Sequence, residues 1–263
     1  MRRSDLLPPA LTRVILRSLG RATLRGDYPS WDAALAASAP YHTDLSVYAR
    51  LTEAIRAGDG TSSRILGPLL SAILLAGGTA RVLDFGGNLG QVYFHASRLV
   101  GDHIESWSVV ELSDVVALGN ERFANGTLRF FLTIEDALAA GAPNVVLCFH
   151  VLQYLRSPGE WLSRLTACAP AVIVLNEFPI GDRERFMVQH LLPELGGGCR
   201  PVRIFSEAQI AAALADYELI EEIGLPPWDP TLMGARHVSR VYRRRAVRPR
   251  ACAGAAPDSA PKP

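Results

Sequence analysis

From about residue 63 onward, short apolar runs alternate with amphipathic stretches, and this alternation limits the fold more than any other feature of the chain. It predicts strands at 81–84, 107–111, 128–131, 144–149 and 171–176, separated by helices at 65–76, 90–100, 113–123, 134–140 and 158–168. Runs this short and apolar, with helices between them, fit strands covered on both sides, so the expected class is α/β with a doubly wound, mostly parallel sheet. Ser206 and Gln209 have capping-box spacing and start a further helix. Two last strand candidates, 217–223 and 237–243, flank the Pro-rich stretch 224–234 and suggest a closing hairpin-like pair.

The 263 residues are 49% hydrophobic and 20% charged, enough for one catalytic domain with attached material. We expect three parts: a helical, aromatic-rich cap over 1–60, the main domain over 61–245, and a disordered Arg/Ala/Pro tail over 246–263. The four cysteines (Cys148, Cys168, Cys199 and Cys252) have neither zinc nor disulfide spacing, which fits a reducing cytoplasm and no metal centre. The longest apolar stretch, 65–76, is too short to span a bilayer, and Arg13 and Arg17 break the first apolar run, so neither a membrane span nor an export signal is expected. Residues 1–25 hold six arginines against Asp5. Residues 236–263 hold seven arginines and Lys262 against Asp258. With a net charge of +1 overall, the ends carry +5 and +7 and the body −11, which argues against a nucleic-acid-binding face on the body. Arg13, Arg17 and Arg21, four apart, form a basic stripe on an amphipathic helix that could dock on the domain or touch an anionic membrane surface weakly.

The first strand of the alternation runs into V82-L-D-F-G-G-N-L-G90, an acid followed by a glycine-rich turn that opens a helix, where exposed backbone N–H groups can meet a ligand's polar part. A dinucleotide fingerprint starting at Gly86 would need glycine at 88 and 91, where Asn88 and Gln91 stand. The string resembles the D/E-x-G-x-G-x-G turn of class I S-adenosylmethionine (SAM) methyltransferases, with Asn88 in place of the middle glycine, a residue that tolerates positive φ. Glu111 ends the second strand 21 residues after Gly90, where a carboxylate can accept both hydroxyls of a ribose. The turn after the third strand, with Thr133 and Glu135, is placed to approach an adenine.

The string N144-V-V-L-C-F-H-V-L-Q-Y-L155 is similar to D-V-V-x-x-x-x-V-L-x-H-L of small-molecule methyltransferases. Together with GDYPSWDAAL, VVEL, LRFFLTIEDAL, NEFPI, FMVQHLLP, IFSE and YELIEE, it resembles a little-characterised bacterial family of SAM methyltransferases associated with surface-polysaccharide and related biosynthetic gene clusters. The resemblance runs in order over 26–222. It implies a Rossmann-like class I methyltransferase fold with a seven-stranded sheet whose last strand is reversed, and an acceptor site built by the N-terminal segment and a loop after the fifth strand. It also implies that SAM is held by Asp84, Gly86, Gly87, Asn88, Gly90, Glu111, Thr133, Ile134 and Phe149.

His150 and Glu177, just past the fourth and fifth strands, fall where a base for an acceptor hydroxyl would sit, with Tyr154 and then His190 behind them. A packed histidine, or a glutamate paired with Arg183 or Arg185, is the structural alternative at each. Residues 194–198, rich in glycine, could hinge a lid or form a plain loop. The expected activity is methyl transfer, most simply to oxygen, on a small-molecule or sugar acceptor. The competing readings are an NAD(P)-dependent oxidoreductase or nucleotide-sugar enzyme, against which the lone Lys262 leaves no Y-x-x-x-K pair, and a non-catalytic SAM-binding descendant.

Overall fold

The computed structural model describes residues 23–39, 44–59, 63–191, 198–226 and 235–246. In chain order these form β1 (Thr23–Tyr28), α1 (Trp31–Ala36), α2 (Leu45–Ala57), α3 (Ser63–Leu75), β2 (Ala80–Phe85), α4 (Gln91–Val100), β3 (Ile104–Val110), α5 (Ser113–Arg122), β4 (Leu128–Phe131), α6 (Ile134–Ala140), β5 (Val145–Phe149), α7 (Pro158–Ala167), β6 (Val172–Gly181), β7 (Arg185–His190), β8 (Cys199–Ser206), α8 (Glu207–Ala213), β9 (Tyr217–Leu225) and β10 (Ala235–Arg244).

Strands β4, β3, β2, β5 and β6 lie side by side in parallel. Strand β10 pairs antiparallel with both β6 and β9, so the expected seven strands with one reversed lie within a larger, ten-stranded sheet that β8, β7 and β1 extend. The side-chain period of two splits each strand between two cores. Val82, Val172 and Val174 join the core under α2–α5, while Leu83, Phe85, Ile173 and Leu175 join the core under α6–α8. Both faces are therefore covered by helices, as the apolar runs of the sequence require, and the fold is a doubly wound, Rossmann-like α/β architecture.

Two regions differ from the sequence reading. Residues 178–205, expected as a loop, are largely strand. Strand β6 continues to Gly181, and β7 and β8 pair antiparallel, with β8 joining the end of β6 through Ile180↔Phe205. Pro179 and Pro201 hide this from a propensity reading. Each nevertheless has a paired strand on one side only, Pro179 opposite His237 of β10 and Pro201 opposite Val188 of β7. Pro179 lies past the last β5 pairing at Asn176 and before the first β8 pairing at Ile180, and β8 at Pro201 pairs only with β7. The second region is the expected cap, which is not wholly helical. Thr23–Tyr28 is a strand added to β7, with a register shift between Arg25 and Tyr28, and α1 follows with Ser30 as its N-cap. The expected basic helix, apart from its last residues in β1, lies outside the described residues, as do most of the proposed lid hinge and the tail from residue 247.

Candidate functional site

Strand β2 delivers the chain into the turn Gly86–Gly90, which bends through left-handed backbone at Gly86 (φ 75°), Asn88 (φ 51°) and Gly90 (φ 78°) before α4 begins. Asn88 fills the middle position, and its Oδ1 accepts from the Leu89 N–H at 2.8 Å, local support that lets a non-glycine residue hold this conformation. Gly86 is needed for close approach as well, because a Cβ there would lie 2.5 Å from Val151 Cγ2. On Gly87 it would lie 2.4 Å from the Asp84 carboxyl. No side chain caps α4, so its first N–H groups face the turn.

Asp84 lies fully buried beneath the turn, and its Oδ2 accepts from Trp107 Nε1 at 3.0 Å. Its Oδ1 has no hydrogen-bond partner among the described residues. Burial, with the Glu111 charge nearby adding to it, pushes the Asp84 carboxyl up to about 7 against the pull of the Trp107 bond. Glu111 stands one residue beyond β3. Its Oε1 accepts from the Asn88 N–H at 3.2 Å and its Oε2 from the Leu112 N–H at 2.9 Å. These bonds join the glycine turn to the second strand end and leave further lone pairs on both oxygens. Burial raises the Glu111 pKa against these two bonds.

Leu112 and Leu132, at the adjoining ends of β3 and β4, are 75% and 57% exposed. Two bare apolar side chains beside a carboxylate and uncapped N–H groups suit a ligand with a flat base, a diol and a polar tail. Thr133 is committed to capping α6, accepting from the Asp136 N–H at 3.0 Å and donating to Asp136 Oδ2. Glu135 pairs with Arg164 at 2.7 Å, and the Ile134 side chain is in the core, so this turn can offer an adenine its backbone more readily than these side chains. Phe149 is half-buried at the end of β5, packed on the core beneath α2–α5.

The three catalytic candidates come together. His150 (φ 54°) and Glu177 (φ 55°) are both in left-handed backbone, one at the end of β5 and the other within the neighbouring β6. Such strain in two non-glycine residues persists only where surroundings hold it. Here the His150 N–H donates to Asn176 O at 2.8 Å, and the Glu177 N–H donates to Ser239 Oγ at 3.2 Å. His150 Nδ1 lies 3.5 Å from Glu177 Oε2, and His150 Nε2 lies 2.9 Å from Tyr154 Oη. Tyr154 Oη in turn donates to Gln189 Oε1 at 3.1 Å, and the Arg200 guanidinium lies 3.5 Å above the Tyr154 ring. Burial raises the Tyr154 pKa, and Arg200 opposes it. Arg183 and Arg185 pair with Asp27 of β1 rather than with Glu177. His190 ends β7 opposite Thr23 and Cys199.

Gln189, Arg200 and His237 complete this group, and no local string marks them. His237 is 5% exposed on β10, its ring 6.4 Å from that of His150 at 80°, and burial drives its pKa down to about 4 despite the Glu177 charge. A strand-paired histidine two residues before Ser239 carries no motif; only the reversed pairing of β10 with β6 brings it here. A separate cavity of about 500 Å³ opens between α7 and α8, lined by Arg156, Ser157, Arg203 and Phe205 among others, and shares no residue with either group. Among the described residues no cluster of His, Cys, Asp or Glu is arranged to hold a metal ion, and no helix is long and apolar enough to cross a membrane.

No protein-family profile and no curated protein matches the chain. Solved structures similar to it include the 1,6-didemethyltoxoflavin-N1-methyltransferase of Burkholderia thailandensis with bound S-adenosylhomocysteine, at 17% identity and a TM-score of 0.47 over 79% of this chain and 93% of that one. An amino pentose methyltransferase of Micromonospora echinaspora with bound SAM is similar at 17% identity and TM-score 0.47, over 79% and 99% of the two chains. The CcbJ methyltransferase of Streptomyces caelestis is similar at 18% identity and TM-score 0.47, over 73% and 92%.

Proposed function

We propose that the chain is a SAM-dependent methyltransferase that methylates a hydroxyl of a small-molecule or saccharide acceptor. The observation that carries this reading is the bond from the Asn88 N–H to Glu111 Oε1, which makes the glycine turn and the ribose-accepting carboxylate one unit. The His150–Glu177 pair stands at the neighbouring strands. The fit to the cofactor rests on residues already described: Glu111 for the ribose hydroxyls, Leu112 and Leu132 for the base, the N–H groups of the turn and α4 for the amino-acid end, and the orphaned Asp84 Oδ1 as a buried acceptor. When bound, SAM supplies an electrophilic methyl group on a sulfonium.

The chain's own part is alignment and proton removal. Holding the acceptor oxygen in line supplies most of the acceleration. His150 then takes the hydroxyl proton, with Glu177 beside the ring to stabilise the charge it gains, a contribution typically of about 10²–10⁴. Strand β1 and helix α1, packed on β7 and β8, are the proposed wall on the acceptor side. Titrating the full chain with SAM, S-adenosylhomocysteine and NADH tests the reading: it requires the first two to bind and NADH not to compete. Turnover with a panel of hydroxylated acceptors then tests the reaction itself. Binding of NADH in preference to S-adenosylhomocysteine would move the chain to the oxidoreductases.

A further inference from the structure

We propose that the cavity between α7 and α8 is a ligand site of its own, for a small organic anion: an apolar body held between the two helices and an oxyanion held at the start of α7. The proposal is independent of the methyl-transfer reading and adds a second site to the chain.

Position separates this site from the groups already described. Strand β8 alternates between two faces, with Val202 and Ile204 packed near Tyr154 and Phe205 packed into the core beneath α6–α8. Arg203 and Phe205, on that second face, line the cavity. Its volume of about 500 Å³ falls within the range of small-molecule sites. Leu162, Phe205 and Ile210 make an apolar floor, each at most 2% exposed. The rims are small residues, Gly159 on α7 with Ala212 and Ala213 on α8, and a Cβ on Gly159 would meet nothing within 4 Å.

Hydrogen-bond donors gather where α7 begins. Ser157 is the N-cap yet makes no side-chain cap bond, and Pro158 has no N–H. The Glu160 N–H donates to Ser157 O at 3.2 Å. Among the described residues the Gly159 N–H and the Ser157 hydroxyl thus remain for a ligand, at the helix end whose dipole favours negative charge. The Arg156 side chain is 65% exposed and uses only Nη2 on Asp32, which leaves the hydrogens of Nε and Nη1. Gln209 commits its Oε1 to the Ser206 N–H at 2.9 Å, so its NH₂ is the end with donors to spare. Arg203, 9% exposed, backs the same wall, its Nη2 donating to Arg156 O at 2.7 Å. Its Nε has no hydrogen-bond partner among the described residues, so the positive charge behind the wall is not wholly spent on Glu184. Against these donors the lining holds one acid, Glu160, exposed on the first turn of α7. An apolar floor with a donor-rich end selects a ligand that is apolar over most of its surface and negative at one end.

Two dyes with the same ring body, anilinonaphthalene sulfonate and the uncharged phenylnaphthylamine, test this by fluorescence titration into the full chain. The sulfonate is expected to bind, and Gly159→Phe, which fills the cavity from a position with room for a side chain, is expected to abolish that binding. Ala212→Phe fills it from the opposite rim, and circular dichroism identifies which filled variant is folded; either suffices for the decision. Arg156→Gln should weaken the sulfonate about tenfold, the scale of one charge-assisted hydrogen bond, and leave phenylnaphthylamine within about twofold. Both partners of the Arg156–Asp32 pair are 65% exposed, so its loss should leave the fold intact. Glu160→Gln, which removes the opposing charge, should tighten the sulfonate. No binding of the sulfonate, undiminished binding in a folded filled variant, or equal weakening of both dyes in Arg156→Gln overturns the proposal. Affinity for S-adenosylhomocysteine should be the same in all four variants, so this result and the cofactor reading stand or fall separately.

Discussion

The ends of β2, β3 and β4 and the ends of β5 and β6 belong to one sheet but are built differently. On the first side backbone does most of the work: a turn with three left-handed residues, an uncapped helix start, and one carboxylate tied to that turn by the Asn88 N–H and held by that of its neighbour Leu112. On the second side the business is between side chains, and the backbone contributes strain that turns His150 and Glu177 out of their strands. Contacts on the first side are closed within one βαβ unit, Asn88 to Glu111. On the second, His150, Glu177, Gln189, Arg200 and His237 come from five strands or strand ends. The lesson is that the proposed cofactor site is a local property of the chain, while the proposed catalytic group is a property of its topology.

If the two sides are as separate as this, substitutions should divide their effects cleanly. The largest effect is expected from Gly86→Val, whose Cβ alone would meet Val151 and whose branches would wedge the turn apart. S-adenosylhomocysteine binding should become undetectable by calorimetry, and binding at wild-type strength would detach this turn from the site. His150→Ala should cost about 10²–10⁴ in turnover once an acceptor is known, yet leave S-adenosylhomocysteine affinity within about twofold. A parallel loss of binding would join the two sides. Glu111→Ala should weaken S-adenosylhomocysteine by about ten- to a hundredfold, through loss of charge-assisted bonds worth roughly 1.5–3 kcal/mol, with His150 chemistry unaffected at saturating cofactor.

Smaller still is a pair of opposed pH effects on stability. Asp84 is raised from 3.8 to about 7 by burial, so the folded chain keeps a proton that the unfolded chain gives up. Its contribution is complete below about pH 4 and is lost as pH rises through about 7. His237 is lowered from 6.5 to about 4, so its contribution is present above pH 6.5 and is lost as pH falls through about 4. Asp84→Asn should therefore remove the decline toward pH 7 and uncover a rise from pH 4 to 6.5, read as midpoints of thermal unfolding. A pH profile unchanged in Asp84→Asn would remove Asp84 as its source. The smallest expected effect is that of a chelator, which should leave turnover unchanged; strict dependence on magnesium would contradict the expectation of a metal-independent reaction.

Much of the first side was legible in the sequence, since Asp84, the glycine turn and Glu111 lie within one strand–helix–strand repeat whose apolar periods are unambiguous. Asn88 was readable too, because it is among the few residues other than glycine that hold positive φ. On the second side His150, Glu177 and Tyr154 could be nominated by their place after strands, but not their mutual geometry. The ties between them run through β7 and β8, whose strand character Pro201 and interspersed arginines mask, and through β10, whose partner is set only when the sheet closes. The strand at Thr23–Tyr28 was missed for a similar reason: Gly26, Asp27 and Tyr28 before Pro29 read as a turn, and only pairing with β7 makes them a strand.

The central claim is that the glycine turn and Glu111 form one cofactor site independent of the His150 group. Calorimetric titration of S-adenosylhomocysteine into the wild type, Glu111→Ala and His150→Ala tests it most directly. The account predicts one site per chain in the wild type, affinity down about ten- to a hundredfold in Glu111→Ala, and affinity unchanged in His150→Ala. No binding to the folded wild type, or equal losses in the two variants, would contradict it.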